Sequence, residues 1–388
     1  MRIVDTHLHL VYLDRFSYPW LSGVPAIDRQ WDAPSYFAEA EKLGIETALH
    51  MEVDVAEQEM EDETHFVLSG LDRRIGGAIA AVRPEYVDFP AHLERLAALP
   101  GVKGLRRILH TQPDELSGGD LFAANLRRLP AHNLTFDLCL LARQLPLGRD
   151  LVAKCPDVQF VLDHCGVPDI AGGAIEPWRE GIRWMAEMPN VTAKISGIAA
   201  YARPDWTIDD LRPYVEHIIE CFGWDRVVWG SDHPVVTLTA NLTRWVETTK
   251  SLIAGASEDE QSKLLHRNAE RVYRLAPRTT KRYGNVLGLR PEAIAEYKRI
   301  HAAVWPDVLK QIKASGISNY SIFLREPENL LFAYYEYTGT DHDADMAKMA
   351  ADPVTQDWWK VCMPMQAPLS SKKDSEWWAP GEEVFHID

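Results

Sequence analysis

The sequence predicts an α/β chain, a (β/α)8 TIM-like barrel over 1–276 followed by a ferredoxin-like α+β domain over 282–388. Three observations carry this. Short apolar, β-rich runs alternate with helical stretches through the first part of the chain. Three of those runs end in histidine and aspartate. After Tyr273 the order of elements changes.

The first run, Ile3-Val4, leads into Asp5-Thr6-His7-Leu8-His9. Side chains alternate across a strand, so Asp5, His7 and His9 are expected on one face. Further runs cover 45–49, 75–82, 102–109, 134–140, 158–162, 191–195 and 226–229. With the first they make about eight, the number a closed barrel needs. Segments between them, such as 34–43 and 209–222, have helical periodicity. Strand-helix alternation implies parallel strands with crossover helices. The run at 158–162 ends in Asp163-His164-Cys165-Gly166, and 227–229 ends in Gly230-Ser231-Asp232-His233-Pro234. Histidines and an aspartate at the carboxyl ends of buried strands are the layout of an active site at a barrel mouth. By alternation Asp163 and His233 are expected to point outward, and only one of Arg106 and Arg107 can point in.

A polar break at 276–281 reads as a linker. Beyond it come a strand at 282–288, a helix from Pro291, which suits a first helical turn, strands at 318–324 and 329–337, and a helix at 345–351. This leads to the ferredoxin-like order of strand, helix, two strands, helix, strand.

Composition narrows the function. The formal net charge of −16 over 388 residues argues against nucleic acid or an anionic membrane as partner. No apolar stretch approaches the roughly 20 residues needed to span a bilayer. Five cysteines without paired spacing (Cys139, Cys155, Cys165, Cys221 and Cys362) fit free thiols in a reducing cytoplasm. No leader is expected, because the first strand begins at Arg2 and already carries site residues.

Asp5-Thr6-His7-Leu8-His9, Asp163-His164-Cys165-Gly166 and Gly230-Ser231-Asp232-His233-Pro234 together resemble the amidohydrolase superfamily, and Asn268-Ala269-Glu270-Arg271-Val272-Tyr273 resembles its last barrel helix. Arg106-Arg107-Ile108-Leu109-His110 and Phe136-Asp137-Leu138-Cys139-Leu140 are similar to the sugar-lactonase, L-fuconolactonase-like branch. The resemblance spans roughly 1–276 and implies opening of a sugar lactone. That reaction needs an activated water, a polarised carbonyl and a proton for the departing alkoxide. Asp232 is the expected base. His164, with His9 or His7, would orient water or donate to the oxyanion, and Arg106 or Arg107 would polarise the carbonyl or clamp substrate. His7, His9, His164 and Asp232 would suffice for a catalytic zinc. The superfamily's fifth-strand histidine is missing, however: His132 precedes that strand and Cys139 is a poor fit. Lys103 lies at the start of the fourth strand, where a bridging lysine would not sit. The branch includes metal-independent members, so no cofactor is expected to be required, with zinc able to occupy the histidines.

The second unit resembles the L-rhamnose mutarotase family through Glu296-Tyr297-Lys298-Arg299-Ile300-His301, Val304-Trp305-Pro306, Ser318-Asn319-Tyr320 and Asp357-Trp358-Trp359-Lys360. The family uses dimeric α+β barrels, which implies a homodimer through this domain. Tyr297, four residues before His301, shares a helix face with it. The resemblance implies substrate binding by Tyr297, His301, Tyr320 and the Trp358-Trp359 pair, with His301 as proton donor. Together the halves suggest a bifunctional enzyme of L-fucose breakdown: anomer interconversion and hydrolysis of L-fucono-1,5- or 1,4-lactone, with L-rhamnose compounds as rival substrates. The alternative is a metal-dependent amidohydrolase or decarboxylase whose C-terminal domain serves only dimerisation or sugar binding.

Overall fold

The computed structural model describes residues 1–275, 281–339 and 341–387. The linker expected at 276–281 lies outside them, apart from Lys281. The chain divides into two compact units, Met1–Ala276 and Pro277–Asp388.

In the first unit eight parallel strands run in sequence order: β1 (Ile3–Leu8), β2 (Ile45–Met51), β3 (Ile75–Ala81), β4 (Val102–Ile108), β5 (Thr135–Cys139), β6 (Phe160–Leu162), β7 (Val191–Ile195) and β8 (Val227–Trp229). The ring closes where Asp232 N–H donates to the His7 carbonyl (2.9 Å) and His9 N–H to that of His233 (2.8 Å). Outside pack α1 (Ala33–Ala40), α2 (Met60–Leu68), α3 (Phe89–Ala97), α4 (Asp120–Leu126), α5 (Leu145–Ala153), α6 (Trp178–Ala186), α7 (Ile208–Phe222) and α8 (Leu242–Leu252). α9 (Glu258–Ser262) then passes through a π turn into α10 (Asn268–Val272). Residues on the outward strand faces, such as Phe136, Phe160 and Trp229, share one large core with the helices. The barrel interior is filled separately by Val4, Leu49, Met51, Ile79, Val161 and Val228, closed at one end by Tyr273 and Leu275. Aliphatic layers of this kind make the barrel a packed core, leaving chemistry to the strand ends.

The second unit has an antiparallel sheet ordered β10–β11–β9–β12, with β13 also pairing β9. In chain order its elements are β9 (Lys281–Leu289), α11 (Ile294–His301), α12 (Pro306–Ala314), β10 (Ile317–Arg325), β11 (Leu330–Tyr337), α13 (His342–Ala351), α14 (Pro353–Cys362), β12 (Gln366–Ala367) and β13 (Ala379–Gly381). The ferredoxin-like order holds, but each crossover carries two helices where one was expected. Pro306 and Pro353 each sit at a first helical position, where proline starts a new helix and cannot extend an old one. Helices cover one sheet face through Leu287, Leu289, Tyr297 and Leu331 and through Ile300, Val308, Trp358 and Cys362. The other face presents Phe323 and Phe332, paired across β10 and β11 and 62% and 39% exposed.

Candidate active site

At the mouth of the barrel, His7 Nε2 lies 3.2 Å from His9 Nε2. Asp232 Oδ1 is 3.7 Å from the first and 3.6 Å from the second. His164 Nδ1 stands 3.9 Å from Asp232 Oδ2 and 3.0 Å from Ser196 Oγ. Arg106 is the fourth-strand arginine that points in. Its Nε and Nη2 donate to the Glu52 side chain (2.6 Å) and carbonyl (2.7 Å). Its Nη1 faces His7 Nε2 at 3.5 Å and Asp163 Oδ2 at 3.7 Å. His7, His9, His164, Arg106 and Asp232 are all buried.

Several expectations need correction. Arg107 is not at the site: it points away and pairs with Glu85 (2.8 Å), as alternation on β4 demands once Arg106 points in. Asp5 does not share the face of His7 and His9. A register shift between Asp5 and Leu8 breaks the alternation, and the Asp5 carboxylate accepts from the Tyr36 hydroxyl of α1 and the backbone N–H groups of His7 and Ser231. It pins the end of β8 to β1. Asp163, expected outward, is buried inside beside His7 Nδ1 (3.5 Å). β6 stops at Leu162, and His164 and Cys165 take left-handed backbone, φ 53° each, so parity no longer governs where these side chains point. His233 does turn aside, toward Trp31 and Tyr36.

Beneath the histidines lies a group that strand reading missed. Lys194 Nζ sits 2.6 Å from Asp137 Oδ2 and 2.9 Å from Asp163 Oδ1, all three residues fully buried. Tyr273 donates to Asp137 (2.8 Å). Lys194 and Asp137 each stand alone in otherwise apolar strands, and that oddity was the available signal. Gly197 is also forced by the site. Its φ is +68°, and a Cβ there would lie 2.4 Å from His164 Nδ1.

Burial sets the protonation states. It pushes the Asp232 carboxyl up to about 6, against the pull of His164 and Arg106. It brings His9 down to about 3, with Arg106 adding to the shift. His7 and His164 are lowered too, chiefly by burial. Near neutral pH the site therefore holds neutral imidazoles around the Asp232 carboxylate, with Arg106 as a fixed cation and Asp163, held well below its ordinary value by Lys194 and His7 against burial, as a second anion behind His7.

The residues fit a divalent cation. Edges of 3.2, 3.6 and 3.7 Å among His7 Nε2, His9 Nε2 and Asp232 Oδ1 approach those of a tetrahedral centre with bonds of about 2.0–2.2 Å. His9 Nδ1 meets the Met51 carbonyl at 3.0 Å, a contact that leaves the Nε2 lone pair facing inward. Among the described residues Asp232 Oδ2 accepts no hydrogen bond. Beside the cluster a cavity of about 340 Å³ opens between the loops after β5, β6 and β7, lined by Leu141, Ala142, Val167, Pro168 and Tyr201, with the charged Arg143 and Asp169 also on its wall. The Tyr201 ring stands edge-on to His164, 6.0 Å between centroids.

In the second unit Tyr297 stacks on His301 with 4.0 Å between ring centres. Trp358 meets His301 edge-on at 5.4 Å. His301 Nδ1 lies 2.9 Å from the Tyr297 carbonyl, an arrangement that leaves Nε2 for the cleft. Tyr320, on the same sheet face, is 41% exposed and meets Tyr335 at 5.6 Å. Trp359 is the exception: neighbours on a helix point about 100° apart, and it is 36% exposed with no ring contact to the other four among the described residues. Its assignment to the sugar site rests on the family resemblance alone.

The fold and these mouth-of-barrel side chains define a hydrolase-type barrel, and the chain belongs to the amidohydrolase family, whose model matches residues 4–275. Residues 282–387 match the L-rhamnose mutarotase family, so the chain fuses the two domains. An L-fucono-1,5-lactonase of Burkholderia multivorans is 30% identical over 302 residues, covering 70% of this chain and 96% of that one. An L-rhamnose mutarotase of Oceanobacillus iheyensis is 35% identical over 108 residues, 28% of this chain and 99% of that one. A solved amidohydrolase from Burkholderia multivorans with bound zinc shares the fold, with TM-score 0.65 and 24% identity over 71% of this chain and all of that one. Hydrolase activity, of the lactonase-like kind, and mutarotase activity follow at this level. Among the described residues no helix is long and apolar enough to cross a membrane.

Proposed function

We propose that the barrel hydrolyses L-fucono-1,5-lactone, or its 1,4-isomer, to L-fuconate, and that the C-terminal domain interconverts the anomers of L-fucose. The observation that carries the first half is Asp232 held among neutral imidazoles, with Arg106 Nη1 turned toward the same centre beside His7 and Asp163. Asp232 takes a proton from water as the water oxygen adds to the lactone carbonyl. Arg106 donates to the oxyanion that forms, a task suited to a fixed donor in a water-poor site. When the ring C–O bond breaks, Asp232 returns its proton to the departing alkoxide. His164, held by Ser196, orients the water. Tyr201 and the apolar wall beside it bound the space for the sugar.

His7, His9 and Asp232 would hold a divalent cation, which when bound would polarise the carbonyl and lower the pKa of a water. Because Arg106 already places positive charge there and an alkoxide leaves more readily than an amine, we infer that no metal is required. Lactone opening, followed by acid release, is expected to persist after chelation. Loss on chelation with recovery on adding zinc would favour the metal-dependent alternative. A protein inert toward aldonolactones would overturn the barrel reading.

The second half is supported by the ring contacts of His301 with Tyr297 and Trp358, with Tyr320 on the sheet face those helices cover. His301 Nε2 exchanges a proton with an oxygen on the anomeric carbon, as ring opening requires. Saturation-transfer NMR of L-fucose and L-rhamnose tests this. The Phe323–Phe332 face supports a homodimer through this domain, an apolar surface of the kind that monomers rarely leave open. Phe323→Lys is expected to yield monomers in sedimentation velocity; a wild-type protein that sediments as a monomer would refute it.

A further inference from the structure

Opening a pyranose ring takes two proton transfers at opposite oxygens of the anomeric carbon. The ring oxygen gains a proton as the C1–O5 electron pair departs to it, while the anomeric hydroxyl loses one as its electrons form the carbonyl. His301 serves one oxygen. The resemblance gives Tyr297 and Tyr320 to substrate binding and names no second proton-transfer group.

On the sheet face that carries Tyr320, β11 also presents Tyr335. Tyr320, which the family resemblance assigns to the sugar site with Tyr297 and His301, meets the Tyr335 ring at 5.6 Å. The Tyr335 hydroxyl lies 3.0 Å from His342 Nε2. His342 opens α13 and is stacked on Tyr283, centroids 4.2 Å apart at 13°. Tyr335 and Tyr283 are themselves stacked at 5.1 Å. An imidazole clamped over one phenol and hydrogen-bonded to its neighbour has little rotational freedom, so its Nε2 is held on the Tyr335 oxygen. Burial pushes the Tyr335 hydroxyl up to about 12, which keeps it protonated at neutral pH.

We propose that Tyr335 is the second proton-transfer residue of the C-terminal sugar site and that His342 is its positioning partner. This rests on the mutarotase reading above. Tyr335 gives its proton to the ring oxygen while His301 takes the anomeric proton, and His342 Nε2–H donates to the phenolate left behind. Reclosure on the other face runs the same transfers backward, so protons and charge balance over the cycle.

The test is anomer exchange of L-fucose and L-rhamnose by saturation-transfer NMR on the full chain, with sugar affinity read separately from tryptophan fluorescence. Tyr335→Phe is expected to slow exchange by about 10²-fold or more, the scale of a lost acid-base group, with affinity changed less than threefold. His342→Gln keeps a side-chain N–H donor and is expected to retain more exchange than His342→Leu. Tyr335→Phe within twofold of wild type, or an exchange loss matched by an equal loss of affinity, would overturn the assignment. If Tyr335→Phe does not fold, equal rates for His342→Gln and His342→Leu overturn it. Wild-type protein that exchanges neither sugar would defeat the mutarotase reading itself, and this proposal with it.

Discussion

Lys194→Met replaces a buried ammonium with an apolar side chain of similar length. Its two carboxylates, Asp137 at 2.6 Å and Asp163 at 2.9 Å, then stand fully buried without their cation. Removing one partner of a buried pair costs about 3–5 kcal/mol, because the remaining charge stays desolvated. For a barrel of this size, at about 2 °C per kcal/mol, that is roughly 6–10 °C in Tm. Tyr273 still donates to Asp137, and Arg106 Nη1 is 3.7 Å from Asp163, so the lower half of that range is the better expectation. The deficit depends on pH. Burial already pushes Asp137 up to about 6 with Lys194 present, while Lys194, against that same burial, holds Asp163 well below its ordinary value; without the cation both carboxyls shift upward. A group whose folded pKa lies above its unfolded value is relatively stabilising below the unfolded pKa and loses that contribution as pH rises through the folded one. The variant's deficit should therefore be largest at pH 8 and shrink toward pH 5. Calorimetry of the full chain at both pH values reads this from the barrel transition. A variant melting within 2 °C of wild type at pH 8, where both carboxyls should need their cation, would refute the buried-triad reasoning.

Arg106→Met should lower kcat/KM for lactone opening by about 10²-fold, the scale of a lost oxyanion donor. Arg107→Met, which removes only the Glu85 pair, should change it less than threefold in the same acid-release assay. Gly197→Ala places a methyl against His164 in a left-handed backbone, worth roughly 1–2 kcal/mol of strain by itself; reduced thermal stability together with reduced lactone turnover is expected. For the C-terminal site, burial holds His301 below the ordinary imidazole value. Anomer exchange, which uses its neutral form, should stay level above pH 7 and fall in acid with a midpoint below 6.5, read from NMR exchange rates.

Much of the fold was legible because period-two and helical patterning alternate through the barrel and the packed strands are almost wholly apolar. His7, His9, His164, Arg106 and Asp232 were legible because each closes or tops such a strand. Where the reading failed, local backbone had replaced the regular strand. The shift after Asp5 turned that carboxylate toward Tyr36, and the left-handed turn at His164 brought Asp163 inward. Lys194, Asp137 and Glu52 were missed for a different reason. Pattern reading assigns a single charge in a buried strand no partner, and these partners lie 54 to 57 residues away in the chain. Tyr335 and His342 were hidden likewise, since they lie on different elements, β11 and α13, and tertiary packing decides whether they meet.

The central claim is that Asp232 activates water for opening a sugar lactone. Acid release from L-fucono-1,5-lactone by wild-type protein and by Asp232→Asn tests it most directly. The account predicts clear turnover by the wild type and a loss of about 10²–10⁴-fold in kcat for the variant. Equal turnover by the two proteins would contradict it.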